Sequence, residues 1–104
     1  MTSKQRAYLK SLASNLNPVC QVGKSSLTPE LTRAIDEAFN GSELIKVAVL
    51  KNCTDDPSEI ARMVAERTRS QLVQVIGRRF VLYRPDREKP KIVLPAAKKE
   101  GGNA

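Results

Sequence analysis

Two segments of this sequence carry the same signal for the start of a helix, and each follows a short run of strand-forming residues. Thr28-Pro29-Glu30 and Asp56-Pro57-Ser58-Glu59 both place a capping side chain before a proline, with an acidic residue early in the first turn. The cap accepts a hydrogen bond from a free backbone N–H, and proline is preorganised for the first helical position. We therefore predict helices that begin at Pro29 and Pro57, each preceded by a strand.

The remaining elements are predicted from hydrophobic spacing. Residues 3–14 repeat apolar positions at helical intervals, and Asn17-Pro18 ends that helix because a residue before proline is driven out of the helical region. The predicted strands are residues 18–22, 44–50, 71–76 and 79–84. Gly77-Arg78 joins the last two and suits a type II′ hairpin turn. The third helix, through about Arg69, is predicted to turn Ile60, Met63, Val64 and Arg67 to one side.

The order helix, strand, helix, strand, helix, strand, strand predicts an α/β fold of the two-layer, α+β-like kind, with three helices and a mixed four-stranded sheet. A chain of 104 residues suits one domain, which we place at residues 1–95. Beyond Pro85 the sequence is charged and interrupted by prolines, so residues 96–104 are expected to form a mobile basic tail, with Lys98 and Lys99 as a non-specific electrostatic arm.

Topology brings several basic residues to one end of the predicted sheet. Strands joined through a helix normally run parallel, so strands 18–22, 44–50 and 71–76 should point the same way. Ligands bind to open α/β sheets at the ends of such strands, and the next helix adds free backbone N–H groups that can receive a phosphate. The cations expected there are Lys24, Lys51, Arg78 and Arg79. We expect joint replacement of Lys24, Arg78 and Arg79 by alanine to leave the core intact.

The composition favours a polyanion as partner and argues against an enzyme. The formal net charge is +7, which attracts phosphate at long range. The chain has no histidine to act as a general base, no Walker loop and no nucleophile elbow. Cys20 and Cys53 lack metal-ligand spacing and are expected to be free thiols. We therefore predict no catalytic residues, no bound metal and no cofactor.

Other residues have simpler interpretations. Lys46 interrupts an apolar strand and indicates a sheet face that is open to solvent or to RNA. Phe80 and Tyr83 are expected to serve the core rather than to stack on bases. The basic residues of the first helix, Lys4, Arg6 and Lys10, are expected to face solvent.

No long apolar run is present and the N-terminus is polar, so we expect a cytoplasmic protein without a membrane partner.

Four stretches of the chain resemble a known family, the CRM domain, which is named after chloroplast RNA splicing and ribosome maturation. These are residues 18–19, 22–28 (VGKSSLT), 43–47 and 73–85 (VQVIGRRFVLYRP). The likeness covers about residues 3–95 and is strongest to the stand-alone bacterial form, the YhbY-like proteins. The resemblance implies a fold similar to the C-terminal domain of bacterial translation initiation factor 3. It also implies binding of precursor ribosomal RNA and the pre-large ribosomal subunit, without catalysis.

The family carries a Gly-x-x-Gly loop likened to that of KH domains, in which the backbone approaches RNA phosphates closely. Gly23 and Lys24 match this motif, but Ser26 stands where the second glycine belongs. A left-handed conformation at Ser26 would cost about 1–2 kcal/mol, and its hydroxyl could offer a compensating hydrogen bond. The candidate RNA-binding residues are Gly23, Lys24, Ser25, Ser26, Lys46, Lys51, Arg78, Arg79 and Arg84.

Two other functions are compatible with the sequence. An Alba-like architectural DNA-binding protein has a related helix and sheet arrangement, a similar size and a basic loop. A protein-interaction adaptor would use the same positive face to meet an acidic partner. We expect the protein to be a monomer.

Overall fold

The computed structural model describes residues 1–95, and the predicted tail at residues 96–104 lies outside them. The elements are α1 (Ser3–Ala13), β1 (Pro18–Val22), α2 (Pro29–Ala38), β2 (Leu44–Val49), α3 (Pro57–Thr68), β3 (Gln71–Ile76) and β4 (Arg79–Tyr83). The predicted fold class, with three helices and a mixed four-stranded sheet in this order, is confirmed.

The two repeated helix-start signals act as the sequence predicts. Thr28 Oγ1 accepts a hydrogen bond from the Leu31 N–H at 3.1 Å, and Asp56 Oδ1 accepts one from the Ser58 N–H at 3.1 Å. A proline occupies the first turn of both helices. These local bonds satisfy N–H groups that have no partner within a helix, so they define where α2 and α3 begin.

The sheet has the strand order β1-β2-β4-β3. β1 and β2 are parallel, whereas β4 is antiparallel to both β2 and β3. β1, β2 and β3 therefore point the same way, as predicted, and their C-terminal ends lie at one end of the sheet. β4 sits between β2 and β3; its pairing with β3 was predicted from the Gly77-Arg78 hairpin, whereas its pairing with β2 was not.

Helices pack on both faces of the sheet, so α1 adds a partial third layer to the predicted two. One face meets α2 and α3 in the larger core, which includes Val22, Ile35, Ile45, Val47, Ile60, Val64, Phe80 and Leu82. The other face meets α1 in a smaller core, which contains Leu9, Ala13, Leu44, Val73, Val81 and Tyr83. α1 packs near the first residues of β2 and β3 and the last residues of β4, so within residues 1–95 no helix covers the rest of that face.

α1 begins with a capping box and is hydrogen-bonded to the edge strand β3. The Gln5 N–H donates to Thr2 Oγ1, and the Thr2 N–H donates to Gln5 Oε1, each at 3.1 Å. Arg6 Nη1 donates to the main-chain oxygens of Leu72 and Val73 at 2.8 and 2.6 Å, where the pairing of β3 is irregular. The expectation that Arg6 faces solvent is therefore wrong, because its guanidinium satisfies carbonyls of β3.

The buried stripe of α3 differs from the predicted one. Ile60 and Val64 are buried as expected, but Met63 is 36% exposed and Arg67 is exposed. Small residues of α3 are buried instead, and they let the helix lie close to the sheet. Arg67 is therefore directed away from the core.

A buried carboxylate closes the end of the sheet opposite the predicted basic end. Glu43, only 6% exposed, accepts hydrogen bonds from the backbone N–H groups of Asp86, Lys91 and Ile92 at 2.6–2.7 Å. Burial alone raises the pKa of Glu43, but the three N–H donors outweigh it and hold the pKa below its ordinary value of 4.5. Glu43 thereby fixes the segment after β4 against the start of β2.

Candidate nucleic-acid interface

Three turns lie side by side at the C-terminal end of β1, β2 and β3, and we call them together the turn surface. The first is residues 23–26, where the Ser26 N–H donates to the Gly23 oxygen at 2.9 Å. The second is residues 50–53, closed by a 3.0 Å bond from the Cys53 N–H to the Leu50 oxygen. The third is the Gly77-Arg78 hairpin, whose glycine alone has a positive φ, +56°, as a type II′ turn requires.

Backbone hydrogen bonds connect these turns. The Leu50 N–H donates to the Val22 oxygen at 2.8 Å, which brings the first two turns together. The Val49 N–H donates to the Arg78 oxygen at 2.6 Å, which brings the second and third together. The three segments that the sequence placed at one end of the sheet are therefore adjacent in the structure.

Lys24, Lys51 and Arg79 are the available cations of this region. All three side chains are exposed, and within residues 1–95 none of them makes an ion pair or a hydrogen bond to an acidic group. Because no internal partner holds them, their charge is directed to solvent or to a ligand.

Arg78 differs from its neighbour Arg79 because its guanidinium is engaged within the protein. Nε donates to the Val49 oxygen at 3.2 Å, and Nη2 donates to the oxygens of Leu50 and Cys53 at 2.7 and 3.2 Å. Arg78 therefore supports the turn surface from inside. We therefore expect replacement of Arg78 to affect stability, which the sequence did not indicate.

Ser26 adopts the left-handed conformation that the second glycine of the motif would take, with φ of +58°. Its hydroxyl donates to Asp55 Oδ2 just before α3. The compensating hydrogen bond at this position therefore goes to a carboxylate of the protein. As a result, one negative charge lies beside the glycine-containing loop.

Gly23 has no internal reason to be glycine. Its φ is not positive, and a methyl group in its place would lie 3.8 Å from Asn52 Oδ1 and from Leu50 Cδ1, which is ordinary van der Waals contact. The fold would accept alanine here. The missing side chain instead leaves the backbone beside Lys24 open to close approach from outside.

The uncovered part of the sheet adjoins the turn surface, and we call it the open sheet face. Lys46 and Arg79 lie on it with Gln74, Ile76 and Val81, around a groove of about 120 Å³. Lys46 is half-buried and Ile76 is 64% exposed. The structure thus brings Lys46 near Arg79, on a face that no helix covers among the described residues.

Arg84 is not brought to this region. It follows β4 at the opposite end of the sheet, where its Nη1 donates to Asp36 Oδ1 at 2.6 Å and to the Thr68 oxygen at 2.7 Å. Its guanidinium also stacks on Phe39, 4.5 Å from the ring centroid. Arg84 therefore joins α2, α3 and β4.

The aromatic and thiol groups near the sheet belong to the interior. Phe80 and Tyr83 are fully or almost fully buried in the two cores, so neither offers a ring to a base. Cys53 is buried and Cys20 half-buried, both as free thiols, and burial raises the pKa of Cys20. Within residues 1–95 there is no cluster of metal-ligating side chains, and no helix there is both long and apolar enough to cross a bilayer.

Comparison with known proteins identifies relatives along almost the whole chain. The CRS1 / YhbY (CRM) domain family matches residues 1–84. The "Probable RNA-binding protein YqeI" of Bacillus subtilis is 43% identical over 95 residues, covering 91% of this chain and 99% of that protein. An "RNA-binding protein" of Haemophilus influenzae is 40% identical over 95 residues, with coverages of 91% and 95%. The solution structure of the hypothetical protein SAV1595 from Staphylococcus aureus matches with a TM-score of 0.78 and 46% identity, over 91% of this chain and 99% of that one.

Proposed function

This chain belongs to the CRS1 / YhbY (CRM) domain family, and from that membership we propose that it binds RNA, without catalysing a reaction, through the turn surface and the open sheet face. Relatives that align over nearly their full length carry the name RNA-binding protein. The recognition of RNA backbone by exposed basic groups needs no cofactor.

The observation that carries the proposal is the convergence of Lys24, Lys51 and Arg79. These cations come from three turns far apart in sequence, yet the hydrogen bonds of the sheet ends hold the turns side by side. Each cation lacks an acidic partner in the part of the chain that the structure describes. Such an arrangement can neutralise several phosphates at once. The counterions condensed on those phosphates are then released, which favours binding.

Gly23 adds a backbone contribution to this surface. Since the fold tolerates a methyl group at Gly23, the absence of a side chain is best explained by what approaches from outside. A phosphate that reaches the backbone here lies next to Lys24 and near the start of α2, whose free N–H groups favour an anion. The bound form would thus combine cationic side chains with backbone donors.

We further propose that the ligand is precursor ribosomal RNA of the large subunit and that the protein assists its assembly. The support is the family resemblance, together with a surface suited to shape and phosphate rather than to base stacking. Phe80 and Tyr83 are buried, so recognition falls to backbone contacts, which are typical for structured RNA. Crosslinking in cells, followed by sequencing of the attached RNA, tests this proposal: reads spread evenly over messenger RNA would contradict it.

The binding surface is tested with the variant Lys24→Gln/Lys51→Gln/Arg79→Gln and a fluorescently labelled RNA hairpin. We expect its affinity to fall at least about tenfold, with the slope of log affinity against log salt reduced by roughly 0.7–0.9 for each phosphate that is no longer neutralised. The matched control, Lys4→Gln/Lys10→Gln/Arg33→Gln, removes three exposed positive charges elsewhere. Equal affinities of the two folded variants would show that the surface is wrongly placed.

Competition separates the proposal from its alternatives. Unlabelled structured RNA should displace the hairpin better than duplex DNA of equal length. Preference for the DNA would favour the Alba-like architectural function. Tight association with an acidic protein that survives nuclease treatment would favour the adaptor.

A further inference from the structure

An arginine-lined groove lies at the end of the sheet opposite the turn surface. Its volume is about 640 Å³, and it is formed by the end of α2, the end of α3 and the segment that follows β4. Its guanidiniums come from Arg67, Arg69, Arg84 and Arg87. We call this feature the arginine groove.

The groove carries a positive excess that its own carboxylates do not cancel. Four guanidiniums face two carboxylates, those of Asp36 and Asp86, so the lining charge is +2. Asp36 is bound to Arg84 at 2.6 Å, and Asp86 Oδ1 accepts the backbone N–H groups of Glu88 and Lys89.

The remaining three arginines are free to bind a ligand. Arg67, Arg69 and Arg87 are exposed and make no ion pair and no side-chain hydrogen bond among residues 1–95. Arg69 also has a left-handed backbone, with φ of +57°, at the end of α3, where glycine is the common residue. The backbone N–H of Arg69 donates to the Ala65 and Glu66 oxygens. These bonds hold the Cα from which the Arg69 side chain extends at the end of α3.

We propose that the arginine groove is a second site for the phosphodiester backbone of RNA, so that the protein holds RNA at both ends of its sheet; this inference rests on the proposed function. Guanidinium groups bind phosphate through paired N–H donors, and three of them are available. The Arg84 guanidinium covers the ring of Phe39, the aromatic residue of the groove lining, so this ring is not available to stack on a base. The groove would therefore contact the RNA backbone rather than the bases.

The two sites lie far enough apart to contact separate phosphates. β2 runs from one end of the sheet to the other, and residues 43–50 span roughly 23 Å at about 3.3 Å per residue. A single nucleotide cannot bridge this distance, whereas a folded RNA can present backbone at both ends. The second site therefore favours RNA that is long enough to reach both ends of the sheet over mononucleotides.

The test measures a labelled RNA hairpin bound to Arg67→Gln/Arg69→Gln/Arg87→Gln, beside wild type and the Lys4→Gln/Lys10→Gln/Arg33→Gln control. We expect the affinity to fall at least about tenfold relative to the control, with the salt slope reduced by roughly 0.7–0.9 for each phosphate that the variant leaves without a cation. Arg67→Gln/Arg87→Gln, which leaves the end of α3 unchanged, should show a smaller decrease in the same direction. Affinity equal to that of the control overturns the inference.

Sodium pyrophosphate provides a readout that does not depend on RNA. In wild type, pyrophosphate should shift the backbone NMR signals of residues 67–69 and 87 in a saturable way, and the triple variant should lose this response. If wild type fails to bind RNA, the proposed function fails and this inference fails with it, even where pyrophosphate binds. If wild type binds RNA and the groove variants bind it as tightly as the control variant does, the inference is wrong while the proposed function stands.

Discussion

Nη2 of Arg78 lies 2.7 Å from the main-chain oxygen of Leu50, so the hairpin turn is tied to the turn that follows β2. The same nitrogen reaches Cys53, and Nε reaches Val49. One side chain thus binds the carbonyl group of the last residue of β2 and two carbonyl groups of the turn that follows it, next to the exposed cations of the turn surface.

Arg78→Ala should destabilise the protein, whereas Arg79→Ala should not. Removal of the Arg78 guanidinium takes one hydrogen-bond donor from each of three carbonyls, of which Leu50 keeps the Cys53 N–H, and should lower the free energy of unfolding by about 1–3 kcal/mol. Arg79 makes no such bonds, so its removal should stay within about 0.5 kcal/mol of wild type. Urea denaturation of both variants measures the difference, and coincident midpoints would contradict the structural role of Arg78.

Ser26 should respond differently to alanine and to glycine. Ser26→Ala keeps the left-handed strain and loses the bond to Asp55, so it should lower stability by about 1 kcal/mol. Ser26→Gly loses the same bond but removes the strain, so it should lie closer to wild type. Thermal unfolding compares the two, and a glycine variant less stable than the alanine variant would show that the strain is unimportant.

Asp55→Asn should strengthen RNA binding. The carboxylate of Asp55 sits beside the Gly23 loop, where it repels an approaching phosphate. Its neutralisation should raise affinity a few-fold at low salt, and this gain should shrink as salt increases. Asp36→Asn at the other end of the sheet is not a neutral comparison because Asp36 holds Arg84, so Glu37→Gln, at an exposed position near the C-terminal end of α2, serves as the control. Weaker binding by Asp55→Asn would mean that the Ser26 hydrogen bond matters more than the charge.

Glu43 should make stability fall in acid. Its pKa is lower in the folded protein than its ordinary value of 4.5, so the unfolded chain takes up a proton first as the pH falls. The stabilisation is therefore fully present above about pH 5 and is lost as the pH drops through the folded pKa. Glu43→Gln should be less stable by about 1–3 kcal/mol at pH 7 and should show a flatter decline below pH 5. Denaturation at a series of pH values from 7 to 3 checks this, and parallel curves for the two proteins would exclude the role of Glu43.

The order of elements could be predicted because its signals are local. Thr28 and Asp56 cap the helix that directly follows each of them, and Gly77 provides the positive φ of its own turn. The shared end of β1, β2 and β3 followed from the general rule for strands joined through helices. These inferences need only short-range geometry and chain connectivity.

The roles of individual arginines could not be predicted because they depend on long-range contacts. Arg78 and Arg79 are adjacent and identical in the sequence, yet only Arg78 meets carbonyls of residues 25–29 positions away. Arg6 and Arg84 are likewise taken up by carbonyls or carboxylates of distant segments. No spacing pattern distinguishes a cation that fits such a pocket from one that stays in solvent.

The position of β4 between β2 and β3 has a consequence for synthesis of the protein. While a ribosome has delivered only the residues before Arg79, β2 and β3 both lack β4, the strand that lies between them and pairs with each. Unpaired strands of this kind invite pairing with other chains. The four-stranded sheet can therefore form only when β4 has emerged, and a product truncated ahead of Arg79 should aggregate rather than fold.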